Sequence, residues 1–175
     1  AMPGEHNRLN AALAAEALRA LSLSDEEIFA GLTSFRGVPG RLEFMGERQG
    51  VTIWNDNNAT TPEATVEGLR AVSNGRNVVL IMGGADKGLD HAALIREIGR
   101  TAKDIIMVPG TGTDRMKEHL PNAQYVQTLD EAVQKAVELS ESGDAILFSP
   151  GFASFGQFVN EYDRNDRFVE AVKRV

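Results

Sequence analysis

The stretch Val78-Val79-Leu80-Ile81-Met82-Gly83-Gly84-Ala85-Asp86-Lys87-Gly88 starts as an apolar run and breaks abruptly into glycine. A short continuous apolar run suits a strand covered on both faces, as in a parallel sheet. Ile105-Ile106-Met107-Val108 and Ala145-Ile146-Leu147-Phe148 have the same character. Helical patterns lie between the runs: Pro62 to Val72, His91 to Thr101, Thr113 to Leu120 and Leu129 to Ser140. Thr61 before Pro62 reads as an N-cap followed by proline at the first helical position. Thr128 and Glu131 have capping-box spacing. Leu42 to Trp54 holds two strand-like stretches around Gly46 to Gly50, a hairpin pattern, and Gln157 to Val175 reads as a terminal helix. Strands alternating with helices predict an α/β fold: a Rossmann-like open, mostly parallel sheet with flanking helices.

The first forty residues differ. Leu9, Leu13, Ala17, Ala20 and Leu21 fall at helical spacing on an alanine-rich segment. Ser24 and Glu27 form a capping-box pattern ahead of Ile28 and Phe29, so a second helix starts there. It ends near Phe35, before the breaker Gly37-Val38-Pro39-Gly40. No strand precedes these helices, so they are not expected to form a domain alone. The expected division is residues 1–38 and residues 39–175.

Composition narrows the function. The chain has 175 residues, 42% hydrophobic and 25% charged, with a net charge of −7 and no cysteine. That excludes disulfides, thiol chemistry and cysteine-ligated zinc. Without a basic stripe, neither nucleic acid nor a membrane surface is an expected partner. No apolar run approaches the roughly 18 residues of a membrane span, and the N-terminus lacks a signal-peptide pattern. A soluble, cytoplasmic monomer is the expectation.

In an open α/β sheet, ligands bind outside the carboxyl ends of the strands. Four loops rich in glycine, hydroxyls or amides fall there: Asn55 to Thr61, Gly83 to Gly88, Pro109 to Thr113 and Ser149 to Ser154. In Trp54-Asn55-Asp56-Asn57-Asn58-Ala59-Thr60-Thr61-Pro62 a strand runs into Asp56, which is placed to accept from a sugar hydroxyl. The following helix start offers N–H groups to an anion, with Thr60 or Thr61 adding a hydroxyl. Read blandly, the same string is a capped turn with Asx chemistry. After Gly83-Gly84, Lys87 brings a cation to the sheet edge, although a bare Gly-Gly turn is common. In Ser149-Pro150-Gly151-Phe152-Ala153-Ser154-Phe155 the serine can hydrogen-bond an oxyanion, but it has no nucleophile elbow. Gly4-Glu5-His6-Asn7 can be a helix cap, and Gly40-Arg41 at the hinge can be a solvated arginine or a forked anion contact. His6, His91 and His119 lack metal-ligand spacing, and there is no Walker A loop.

Taken in order, these strings resemble the C-terminal half of the Mur ligases. Gly-x-His-Asn with an alanine-rich helix, a hinge arginine, an Asn/Asp-led loop, a Gly-Gly…Lys loop and Ser-Pro-x-x-Ala-Ser…Gln-Phe recur in that family. The resemblance covers nearly the whole chain. Asn55-Asp56-x-x-Ala59-Thr60-x-Pro62-Glu63-Ala64-Thr65 is most similar to the D-glutamate-adding type. It implies an ATP- and Mg2+-dependent amide ligation. The carboxylate of UDP-N-acetylmuramoyl-L-alanine is phosphorylated, and the amine of D-glutamate attacks the acyl phosphate. By position, Asn7, Arg41 and Asp56 would hold the nucleotide. Thr60, Lys87, Ser154 and the adjoining Phe155 would hold D-glutamate. The P-loop, the magnesium ligands and a carbamylated lysine would lie upstream of Gly4, and the first two helices would be the tail of the central ATPase domain. No catalytic or metal-binding residue is assigned to this chain, which is expected to be inactive alone.

Three departures from the family stand out. Gly40 replaces a histidine before the hinge arginine, and Asn58 replaces a frequent lysine. Asn160-Glu161-Tyr162-Asp163-Arg164-Asn165 replaces an aromatic-Glu-x-Arg-Gly stretch. Three other readings remain: an amide ligase with another amino acid, a stand-alone Rossmann-like module that binds a nucleotide or amino acid, and a purely structural α/β domain.

Overall fold

The computed structural model describes residues 3–175. Helices α1 (Glu5–Ala20) and α2 (Asp25–Ser34) come first, then strands β1 (Glu43–Arg48) and β2 (Val51–Asn55). The order continues as α3 (Pro62–Val72), β3 (Val78–Met82), α4 (Ala92–Thr101), β4 (Ala102–Met107), α5 (Thr111–Met116), β5 (Gln124–Tyr125), α6 (Leu129–Leu139), β6 (Ala145–Phe148) and α7 (Glu161–Arg174). The sheet order is β1-β2-β6-β3-β4-β5, and β1 is antiparallel to β2 while the other pairings are parallel. The expected Rossmann-like, mostly parallel sheet is present.

The apolar runs are continuous because both sheet faces are covered. Along β3, Val78, Leu80 and Met82 pack into a core with Val66, Leu69, Leu94 and Ile98 of α3 and α4. The alternate residues Val79 and Ile81 pack on the opposite face with Val133, Ala136, Phe168 and Val172 of α6 and α7. This is the period of two of a strand with no wet side. In β6, Leu147 joins the first core, and Ile146 and Phe148 join the second. Phe148 stacks on Phe168 with ring centroids 4.5 Å apart.

The caps read from sequence form. Ser24 accepts from Glu27 N–H while the Glu27 carboxylate accepts from Ser24 N–H at 2.8 Å. Thr61 accepts from Ala64 N–H. Thr128 accepts from Glu131 N–H at 3.1 Å, but the Glu131 carboxylate reaches back to Gln127 N–H rather than to Thr128. Thr128→Ala removes one satisfied helix donor and should lower the unfolding free energy by about 1 kcal/mol, read as a lower urea midpoint.

Several boundaries differ from expectation. The terminal helix starts at Glu161, not Gln157, because the Asn160 side chain accepts from Tyr162 and Asp163 N–H and starts the helix there. Helix α5 begins at Thr111 and ends at Met116, two residues earlier and four residues short of the expected Thr113 to Leu120. The two-residue strand β5 is too short for any periodicity. The hairpin turns through Gln49 and Gly50, both left-handed with φ 52° and 80°, as a tight two-residue turn requires.

Helix α1 contributes no buried residue and α2 only Ile28. Leu9, Leu13, Leu21, Phe29, Leu32 and Phe35 are exposed. No helix among the described residues is long and apolar enough to cross a membrane.

Candidate functional site

The loops at the carboxyl ends of β2, β3, β4 and β6 are extensions of the sheet itself. Asp56 N–H donates to Phe148 C=O, Ser149 N–H to Ile81 C=O, and Gly83 N–H to Pro150 C=O. Ala85 and Ala153 pair as an isolated antiparallel bridge, and Gly112 N–H donates to Gly84 C=O. Phe152 is buried between these loops and stacks on His91, centroid to centroid 4.9 Å. Backbone bonding thus fixes where each polar side chain emerges.

Two clefts open over these loops. The first, about 420 Å³, is lined among others by Asn7, Asn10, Arg41, Asp56, Asn58 and Gly68. The second, about 370 Å³, is lined among others by Arg41, Asn58, Thr60, Lys87, Ser154 and Phe155. The three residues expected to hold a nucleotide share the first cleft, and the four expected to hold an amino acid share the second. Arg41 and Asn58 line both.

Within the first cleft, Asn7 does not cap its helix: Gly4 occupies the cap position, and Asn7 Nδ2 donates to Pro3 C=O at 2.6 Å. Asp56 is nearly buried, more enclosed than a simple ribose acceptor. Its Oδ1 accepts from Leu42 N–H at 3.1 Å and its Oδ2 from Ser149 Oγ at 2.8 Å. Ser149 Oγ is in turn 3.1 Å from Thr65 Oγ1. Position 68 must be glycine for this, since a Cβ there would lie 2.7 Å from Asp56 Oδ2.

Burial pushes the Asp56 carboxyl up to about 7, outweighing the Ser149 and Leu42 hydrogen bonds and the nearby Arg41 charge, which pull it down. A raised folded-state value means that the folded chain holds the proton more tightly than the unfolded chain. The resulting stability is full below the ordinary carboxyl value of 3.8 and is lost as pH rises to about 7. Asp56→Asn should flatten that pH dependence. Wild-type urea midpoints should fall between pH 4 and 7.5 relative to the variant, and parallel profiles would rule out Asp56 as the source.

In the second cleft, Lys87 Nζ donates to Thr60 Oγ1 at 2.9 Å, joining the β2 and β3 loops. The preceding residue is anchored on both sides: Asp86 N–H donates to Thr111 Oγ1 at 2.9 Å, and Arg115 forms an ion pair with the Asp86 carboxylate at 3.1 Å. Ser154 is buried to 4% exposure beside Phe155, which is exposed. Asn58 cannot replace a lysine charge; its Nδ2 donates to Pro39 C=O and its N–H to Gly40 C=O, tying the hinge to the loop.

Sequence reading missed Arg164. Its side chain is 1% exposed and has no carboxylate in ion-pair range among the described residues. Nε donates to Asn57 Oδ1 at 2.8 Å, Nη2 to Asn57 C=O at 2.8 Å, and Nη1 to Phe152 C=O at 3.1 Å. Burial pushes this guanidinium down to about 10. The side chain clamps the loops after β2 and β6 against α7. Its partners do not neighbour it in sequence, so the one signal in the string was that Arg164 keeps the arginine of the aromatic-Glu-x-Arg-Gly stretch. Among the described residues no group of three or more His, Asp or Glu could hold a metal ion.

A UDP-N-acetylmuramoylalanine–D-glutamate ligase of Aquifex aeolicus is 37% identical over 97% of this chain, which spans 41% of that relative. The ligase of the same name from Thiobacillus denitrificans is 36% identical over 100% of the chain and 37% of the relative. The chain therefore spans about two fifths of the length of these relatives. Among solved structures, UDP-N-acetylmuramate-alanine ligase from Thermotoga maritima superposes with a TM-score of 0.73 at 21% identity. That alignment covers 99% of this chain and 39% of the other. Escherichia coli FolC in complex with ADP gives 0.69 at 24% identity, over 95% of this chain and 40% of that one. At such identities these likenesses concern the fold. Residues 40–152, well over half of the chain, match the family described as "Mur ligase, glutamate ligase domain", and the chain belongs to the Mur ligase family through that domain.

Proposed function

We propose that this chain is the amino-acid-presenting part of an ATP-dependent ligase that joins D-glutamate to UDP-N-acetylmuramoyl-L-alanine during peptidoglycan precursor synthesis. The observation that carries the reading is the pair of clefts meeting at Arg41 and Asn58, one lined by Asn7 and Asp56, the other by Thr60, Lys87 and Ser154. A dicarboxylic amino acid needs a cation and neutral donors where backbone loops converge, and the second cleft offers both. Relatives that carry the D-glutamate ligase name support the choice of amino acid.

ATP, when bound, supplies the phosphoryl group that activates the acceptor carboxylate. The first cleft fits only an edge of a nucleotide: an amide, an arginine and a nearly buried carboxyl, without a phosphate-cradling loop. In this reading Arg41 and Asp56 hold that edge from one side. Mg2+ is assigned to parts of the ligase outside this chain. Lys87, steadied by Thr60, and Ser154 hold the carboxylates of the incoming amino acid, and the domain acts as a lid that brings its amine to the activated carbonyl. Helices α1 and α2, with their exposed leucines and phenylalanines, belong to the tail of the neighbouring ATPase domain, which covers them. The ligase works as a cytoplasmic monomer.

The test is ADP release by the full-length ligase with UDP-N-acetylmuramoyl-L-alanine and, in turn, D-glutamate, L-glutamate, L-alanine and meso-diaminopimelate. Release that depends on D-glutamate supports the reading. Preference for another amino acid moves the assignment within the ligases. No stimulation by any of them leaves a binding module as the better account.

A further inference from the structure

The cleft that contains Lys87 has a feature which carboxylate binding does not use. Among its lining residues Arg41 and Lys87 are cations, and Glu161 is the one carboxylate. Among the described residues the Glu161 side chain has no ion pair and no hydrogen bond. Arg164, which feels its charge, directs its donors to Asn57 and Phe152 instead. The backbone of Glu161 is fixed independently of its side chain: its carbonyl accepts from Asn57 Nδ2 at 3.0 Å, and Asn160 caps the helix that it begins. An exposed acid is thus held at the wall of a cleft whose other charges are positive.

A free dicarboxylic amino acid brings two negative groups and one positive group. Arg41, Lys87, Thr60 and Ser154 suit the carboxylates, and none of them can accept from an ammonium as an anion does. We propose that Glu161 receives the α-ammonium of the incoming amino acid and so fixes which way round it lies in the cleft. This rests on the reading of the cleft as the amino-acid site. The ordinary alternative is that Glu161 only favours the positive end of α7, an effect that would appear in stability and not in substrate discrimination.

Full-length ligase carrying Glu161→Gln or Glu161→Asp tests this through ADP release, with glutarate, which lacks the amine, as a competing ligand. Glu161→Gln should raise the KM for D-glutamate roughly tenfold, the scale of one partly exposed charge-assisted hydrogen bond. Its inhibition constant for glutarate should stay unchanged, and Glu161→Asp should recover part of the loss. Equal shifts for glutamate and glutarate would show a structural role and overturn the proposal. An unchanged KM also overturns it, as does a lower one, which would mean that Glu161 repels a carboxylate. If glutarate binds wild type too weakly to measure, equal KM values for the Gln and Asp variants overturn it. Absence of D-glutamate-dependent release in the wild type is a separate result and removes the underlying amino-acid reading.

Discussion

Arg164→Met should destabilise the chain by about 3 kcal/mol and loosen both clefts together. The substitution keeps much of the buried volume but removes donors to Asn57 Oδ1, Asn57 C=O and Phe152 C=O. Each acceptor left dry costs about 1 kcal/mol or more. Against this stands the cost of burying the guanidinium, visible in its lowered pKa. The bonds should win, because two of the three are 2.8 Å long and all end on loops with few other anchors at those atoms. Arg164→Lys should recover little, since one ammonium cannot serve three acceptors from the position of a planar fork. Urea unfolding followed by circular dichroism gives the stability change, and amide exchange at residues 57–60 and 152–155 reports the loosening. An unchanged midpoint for the Met variant would mean that desolvation of the guanidinium cancels its bonds, and the clamp would then serve precision rather than stability.

That this residue escaped sequence reading shows what the string can hold. The strands β3 and β6 were legible because burial on both faces writes itself as an unbroken apolar run. Helices α2, α3 and α6 were legible because Ser24, Thr61 and Thr128 satisfy donors only three residues away. Such signals are local. The insertion of β6 between β2 and β3 is not local, and neither is the contact of Arg164 with Asn57, 107 positions apart. The start of α7 is a different kind of miss: Asn160 is a standard cap and was readable, but the helical pattern was extended back across it. At the clefts, residue types at strand ends suggested where polar groups gather. They could not show that Asp56 is enclosed by Ser149, Leu42 and Gly68, since that depends on how closely α3 approaches the loop.

Lys87→Ala should cut kcat/KM for D-glutamate by about a hundredfold while the fold stays intact. The ammonium is exposed and among the described residues its one bond is to Thr60 Oγ1, so removing it should change stability by no more than about 0.5 kcal/mol. A charge-assisted bond to a substrate carboxylate contributes about 1.5–3 kcal/mol, and loss at the upper end of that range corresponds to two orders of magnitude. Because Lys87 lines the second cleft and not the first, the loss should fall on the amino acid and leave the KM for ATP unchanged. Thr60→Val should give a smaller loss in the same direction: the cation remains, but the hydroxyl that steadies it is gone. Initial-rate measurements with D-glutamate and ATP varied in turn separate these effects. A Lys87→Ala enzyme whose ATP KM rises as steeply as its D-glutamate KM would mean that the clefts do not divide the substrates as proposed, and that Arg41 joins two halves of one site.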